Sequence, residues 1–179
     1  MRFPDFLRVA VLLFGGAATV LAVITVVGVA RNDATTLALI AAGWWALSAL
    51  IGLWLGRRMA PSPGIARLLA SARSTTSLPE DEPGAILFNR LWPLAVITVV
   101  AGVVGVFYAQ VPAIAAGYAL IAALTWRKQA SAVIAIEERD GVRFFFDRSS
   151  PFAGPRLLRT PWARKIDPVS ERDEEPAAL

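Results

Sequence analysis

The stretch VAVLLFGGAATVLAVITVVGVA, Val9–Ala30, runs 22 residues without Asp, Glu, Lys, Arg or His, and its reading decides the fold. An apolar run of about 20 residues is what a helix needs to cross the ~30 Å hydrocarbon core of a bilayer. Three more uncharged runs follow, Thr36–Leu55, Leu91–Ala109 and Pro112–Trp126, so the pattern predicts four membrane spans. At about 1.5 Å per residue the first three reach roughly 28–33 Å and the fourth about 22 Å. The fourth therefore needs local thinning, snorkelling of Arg127 and Lys128, or burial against its neighbours. Gly28-Val29-Ala30 offers small residues to a signal peptidase, but the run before it exceeds the 7–15 residues of an ordinary signal-peptide core, so an uncleaved first span is expected.

Working outward, the cations orient the spans. Arg2 and Arg8 precede the first, Arg57, Arg58, Arg67, Arg73 and Arg90 separate the second from the third, and Arg127 and Lys128 follow the fourth. Of 18 Lys+Arg only Arg31 falls on the other side. The positive-inside rule then places both termini and the middle loop in the cytoplasm, with the spans in the plasma membrane. The outer connections, Arg31-Asn32-Asp33 and Gln110-Val111, are short; Asn32 or Asp33 is suited to cap the second span and Pro112 to a first helical turn. The expected fold is an all-α membrane protein, its four transmembrane helices arranged as two helical hairpins.

With 56% hydrophobic residues in 179 and a mean hydropathy of +0.55, most apolar side chains are used in the spans. One membrane unit with a small tail is the limit this composition implies. The pI near 10.3 reflects a net charge of only +4, and the basic residues flank spans, which points to topology and membrane lipid as partner and to no nucleic acid. Sixteen of the 18 cations are Arg. There is no Cys and no His, which excludes disulfides, thiol nucleophiles, the usual zinc ligands and imidazole acid–base chemistry. Neither a metal nor another cofactor is expected.

Leu21–Val27 (LAVITVV) recurs as Leu94–Val100, and Ile40-Ala41-Ala42-Gly43-Trp44 as Ile114-Ala115-Ala116-Gly117-Tyr118, offsets of 73 and 74. The near-constant offset suggests a duplicated hairpin of parallel sense; chance within a small apolar alphabet is the alternative. In the middle loop, Ile65, Leu68, Leu69 and Ala72 follow helical spacing after Ser62-Pro63, which predicts a short interfacial helix or an ordinary connector. Ser74–Pro83 reads as a polar turn whose acids Glu80-Asp81-Glu82 favour the start of the next helix, and Pro93 as a kink or restart.

After Lys128 the pattern alternates. Ala132–Glu137 and Val142–Asp147 flank Asp140-Gly141, a hairpin-turn dipeptide, and predict a short cytoplasmic C-terminal β-hairpin. Ile134, Ile136, Val142, Phe144 and Phe146 would share one face, which needs the interfacial helix, the bilayer or another chain to cover it. Arg156-Leu157-Leu158-Arg159-Thr160-Pro161-Trp162 has the composition of a headgroup boundary. Residues 127–165 carry a net +5 and residues 166–179 a net −4, so the end reads as a disordered acidic tail. The chain thus divides into a first hairpin (1–56), a loop with a short amphipathic helix (57–90), a second hairpin (91–128), the β-hairpin with its basic segment (129–165) and the tail (166–179). Glu138-Arg139-Asp140-Gly141-Val142-Arg143-Phe144, then Ser150-Pro151, then Arg156–Pro161, resembles the tail of small uncharacterised actinobacterial multi-pass membrane proteins. That resemblance covers about the last quarter of the chain and implies no activity and no site residue.

The side chains expected to dock on lipid or a partner are Phe144, Phe146, Arg156, Arg159, Trp162, Arg164 and Lys165. Two small-residue faces, Ser48/Gly52/Gly56 and Ala101/Gly105/Ala109, are suited to close helix packing, inside the chain or between copies. Trp54, Trp92 and Trp126 read as an aromatic belt, with Trp44 and Trp45 deeper. The only polar groups at depth are hydroxyls, Thr19, Thr25, Thr35, Thr36, Ser48, Thr98 and Thr125, and no buried acid is present to couple protons. Ser149 and Ser150 have no His, and Glu137, Glu138 and Asp140 read as solvated acids beside a turn, so no enzyme is expected. The leading expectation is a scaffold or accessory subunit, with a possible homo-oligomer or membrane-protein partner. The alternative is a channel or transporter subunit that forms a pore by oligomerisation.

Overall fold

Each of the four apolar runs is the body of a helix, but α1 and α4 begin several residues before their runs and α4 ends before its own. The computed structural model describes residues 1–57, 60–74, 83–146 and 157–161. Its elements are α1 (Phe3–Arg31), α2 (Thr35–Leu55), α3 (Pro63–Ala70), β1 (Arg73–Ser74), α4 (Pro83–Gly105), α5 (Gln110–Trp126), α6 (Gln129–Asp140), β2 (Val142–Phe146) and β3 (Leu157–Pro161). Four lengths of helix are long and apolar enough to cross a membrane: α1, α2, α4, and α5 continued by α6 past a turn at Arg127-Lys128. Their outer faces expose Leu12, Leu39, Leu50, Phe88 and Val103, a belt of apolar surface.

The ends of the helices depart from the sequence reading in instructive ways. Asn32 does not cap α2; its Nδ2 donates to the Gly28 carbonyl at 2.8 Å and so closes the C-terminus of α1. Asp33 takes the left-handed turn at φ 47°, and α2 starts after Ala34 with no side-chain cap. Helix α4 ends at Gly105, so Ala109 stands in the following turn and Gln110-Val111 already belong to α5. That turn, Val106–Ala109, is as apolar as the helices around it and leaves no mark in hydropathy. At its other end α4 begins at Pro83, eight residues before Leu91, and runs through Pro93 as one helix.

The two hairpins are not independent units. Away from their turn α1 and α2 part, and each packs along α5, while α4 lies against α1 and α5. No comparable α2–α4 packing exists among the described residues, so the repeated segments are not arranged about a two-fold axis. What lets α5 serve two neighbours is its lack of bulk: Ala113, Ala116, Gly117, Ala119 and Ala123 are buried. Close backbone approach and short polar contacts then hold the neighbours on α5. Trp45 donates its indole N–H to the Ala113 carbonyl at 2.9 Å and Trp44 to that of Ile114 at 3.3 Å, and Trp44 meets Tyr118 edge-on at 5.4 Å. The indole of Trp44 occupies the space a Cβ on Gly117 would need.

The second departure is a core outside the bundle, where composition had left room for little. Phe3, Phe6 and Leu7 of α1, Ile65 of α3, Ala130 and Val133 of α6, Val142 and Phe144 of β2 and Leu157 of β3 form one buried cluster. Leu68, Leu69, Leu87 and Leu91 pack around it. We call this assembly the basal unit. Of the expected β-hairpin the second strand forms, as β2, but the first does not: residues 129–140 are helical, and Asp140-Gly141 is a helix end, with Gly141 left-handed at φ 62° as the C-terminal cap. The physical reason is periodicity. Gln129, Ala130, Ala132, Val133 and Glu137 are the buried positions, recurring three and four apart, whereas Ile134 and Ile136 are only partly buried. The true strand partner is β3, antiparallel to β2 with Val142 opposite Pro161 and Phe146 opposite Leu157. The other edge of β3 pairs in parallel with β1, in the order β1-β3-β2. Arg73-Ser74 and Leu157–Pro161, read as loop and headgroup boundary, are therefore sheet.

Gly117→Ala should force the Trp44 indole out of place and loosen α2 from α5, lowering stability by about 1–3 kcal/mol, the usual effect of overpacking. Thermal unfolding in detergent would register the loss, and Gly117→Ala combined with Trp44→Phe should recover part of it.

Candidate functional site

The basal unit depends on an acid that hydropathy hides. Glu137 lies one turn after Val133 on the face of α6 turned into the core, and is 4% exposed. Its Oε2 accepts from Arg2 Nη2 at 2.7 Å, and its Oε1 from the Phe144 backbone N–H at 2.9 Å. An unpaired carboxylate buried in this way would cost several kcal/mol; two charge-assisted hydrogen bonds offset it. One carboxylate thereby ties the first residues of α1, the last turn of α6 and the edge of β2 not taken by β3. Arg2 also bridges Phe145 by backbone pairing on that edge.

The reading of Glu137 as a solvated acid is thus overturned. The signal was present: placed on a helix, Glu137 is at i+4 from Val133 and i+7 from Ala130, an acid inside an apolar stripe. Its neighbours do remain outside. Glu138 is exposed, and Asp140 pairs with Arg139 at 2.8 Å in solvent; the hydrogen bond from Arg139 holds the Asp140 carboxyl below its usual range.

Around this anchor lies a charged cleft of about 270 Å³ between the start of α1, the end of α6 and β2. Arg2, Arg8 and Arg143 line it together with Asp5, Glu137 and Glu138. Arg8 and Asp5 approach to 3.9 Å, with both side chains about half exposed or more.

The expected docking residues separate. Phe144, 3% exposed, belongs to the interior; it is covered by the chain itself and has no surface to offer lipid or a partner. Arg159 is exposed on β3, opposite Phe144. The backbone of Phe146 lies in β2, while its side chain, together with Arg156, Trp162, Arg164, Lys165 and the acidic tail 166–179, lies outside the described residues. Both small-residue faces are inside the bundle. Ser48, Gly52 and Gly56 meet α5, where a Cβ on Gly52 would come within 2.8 Å of Leu124 Cβ. Ala101 is buried beside Leu21, a Cβ on Gly105 would meet Pro112 Cγ at 2.7 Å, and Ala109 lies against Gly28.

No known family matches the sequence, and no characterised protein or solved structure is significantly similar to the chain.

Glu137→Ala should leave the Phe144 amide without its acceptor and Arg2 without its counter-charge. Because Arg2 is part-exposed, the expected loss is about 1–3 kcal/mol, below that of a fully buried pair. Hydrogen exchange should accelerate at the Phe144 amide and protease sensitivity should rise at the N-terminus, while Glu138→Ala changes neither.

Proposed function

We propose that this chain is a small polytopic protein of a bacterial plasma membrane, with both termini cytoplasmic, that acts as a scaffold or accessory subunit and performs no catalysis. The basal unit is its cytoplasmic working part, docking on lipid or on a membrane-protein partner. Support for membrane residence comes from the exposed apolar belt, and support for orientation from the arginines at the basal end. The observation that carries the scaffold reading is the Arg2–Glu137–Phe144 anchor. Through it a folded unit of four separate segments is fixed to α1, so a partner held there is held in register with the bundle. Arg159 and the charged cleft face outward from that unit.

A pore assembled from several copies has weaker support. Thr19, Thr25 and Thr98 donate to carbonyls of their own helices at 3.0, 2.8 and 2.8 Å, which leaves them little capacity for an ion. Ser48 Oγ and Thr125 Oγ1 are buried without a hydrogen-bond partner, the one feature a polar path would draw on.

A reporter active only in the cytoplasm should work when fused after residue 179 and fail after Asn32. Native purification in mild detergent should then recover a stoichiometric partner or a defined oligomer, and reconstituted liposomes should show no ion flux. Flux abolished by Ser48→Ala and Thr125→Val would reverse the ranking in favour of the pore.

A further inference from the structure

The basal ends of α2 and α5 meet at one residue. Helix α2 ends at Leu55 and α5 at Trp126, and the ammonium of Lys128 donates to the Arg57 carbonyl at 3.3 Å. The two apolar runs therefore stop at the same height. Arg57 turns its guanidinium back over the Trp54 ring, 5.7 Å from the centroid. Trp54 is 61% exposed, on an outer face of α2 that it shares with Leu47 and Leu50. Arg57 follows Trp54 by three residues and Lys128 follows Trp126 by two, rises of about 5 and 3 Å. With the two indoles in the aromatic belt, both cations stand within a headgroup layer about 5–7 Å thick. This placement rests on the membrane residence proposed above, and not on the scaffold role.

Among the described residues neither Arg57 nor Lys128 has a carboxylate within ion-pair distance, in contrast to Arg2, Arg8 and Arg139. Lys128 keeps two N–H donors after its bond to the carbonyl, and the contact with the ring takes none of the five that Arg57 carries. Two cations without a counter-charge, beside an indole on the apolar face, fit a group that is both anionic and borne by a lipid. A free anion would gain nothing from Trp54. We propose that Arg57 and Lys128 together bind the phosphodiester of an anionic phospholipid, with Trp54 against the start of its acyl chains. The guanidinium forks onto two phosphate oxygens and the ammonium adds a compact charge beside it. Phosphatidylethanolamine and phosphatidylcholine offer the same phosphate but carry a cation tethered to it, which these two groups repel and which finds no carboxylate at the site. The site therefore selects a headgroup of net negative charge.

The full-length protein, reconstituted in nanodiscs with equal parts of phosphatidylglycerol, phosphatidylethanolamine and phosphatidylcholine, tests this by native mass spectrometry of retained lipid. Phosphatidylglycerol should be retained about tenfold over either zwitterionic lipid, the effect of two cations at such a site. Arg57→Gln and Lys128→Gln should each lower that preference about threefold or more, whereas Arg67→Gln, which removes an equal charge from the exposed face of α3, should leave it. A preference that survives both substitutions overturns the proposal, and so does one lost equally on Arg67→Gln, since that marks diffuse surface charge. Trp54 supplies a second measurement. The fluorescence lost on Trp54→Phe isolates its signal, and phosphatidylglycerol brominated near the headgroup end of its acyl chains should quench that signal more strongly than phosphatidylcholine brominated alike. Arg57→Gln should make the two equal. Equal quenching in the parent protein overturns the headgroup site alone, whereas quenching by neither lipid means that Trp54 does not face a bilayer and removes the membrane residence beneath the site.

Discussion

A carboxylate that leaves water must find donors, and the way Glu137 finds them organises the end of the molecule where α1 begins. Its two oxygens are met by groups 135 and 7 residues away in sequence, the Arg2 guanidinium and the Phe144 amide. Because the group is 4% exposed, neither contact can be given up without leaving charge or an amide unsatisfied. Such an arrangement is directional where hydrophobic burial is not. Phe3, Phe6 and Leu7 could contact a greasy surface in many orientations, but with Arg2 bound to Glu137 only one places the N-terminus of α1 against α6 and β2. The basal unit is in this sense an extension of α1, and any force applied to it reaches the bundle through a helix of 29 residues.

Inside the bundle the constraint is the opposite one, an absence of side chain. Helix α5 packs along two long helices because its buried face is Ala and Gly, and Gly117 admits an indole where any Cβ would exclude it. The hydrogen bonds of Trp44 and Trp45 are modest contributions, since such bonds between membrane helices average about 0.6 kcal/mol. Their value lies in fixing where along α5 the helix α2 comes to rest. Small residues permit the approach, and the two indoles select its register.

The tail shows how a local signal is overruled. Asp140-Gly141 satisfies the residue preferences of a hairpin turn and those of a helix end equally, because both need a residue at ease with positive φ. The choice between them is made by what lies upstream, where Ala130, Val133 and Glu137 form a face once Glu137 counts as inward. Hydropathy scores a glutamate as outward, so the helical period was hidden by the residue that matters most. Leu157–Pro161 was illegible for a related reason. The strand pairs with β2 across a ten-residue connection and with β1 more than 80 residues upstream, and neither separation carries a short-range turn signal that would betray it.

The sequence by itself determined the four apolar helices, the start of the short helix at Ser62-Pro63 and the small-residue faces, because these follow from composition within a span or from spacing within one turn. It also determined the charge asymmetry between the two ends of the bundle. Tertiary structure alone decided that α5 packs along both α1 and α2, that Asn32 closes α1 and leaves α2 uncapped, and that Phe144 is covered from within. It alone decided that Arg2 and Glu137 meet. Those outcomes depend on pairs of residues far apart in the chain, and the free energy of a buried charge or a close backbone approach belongs to the pair, so neither member announces it in isolation.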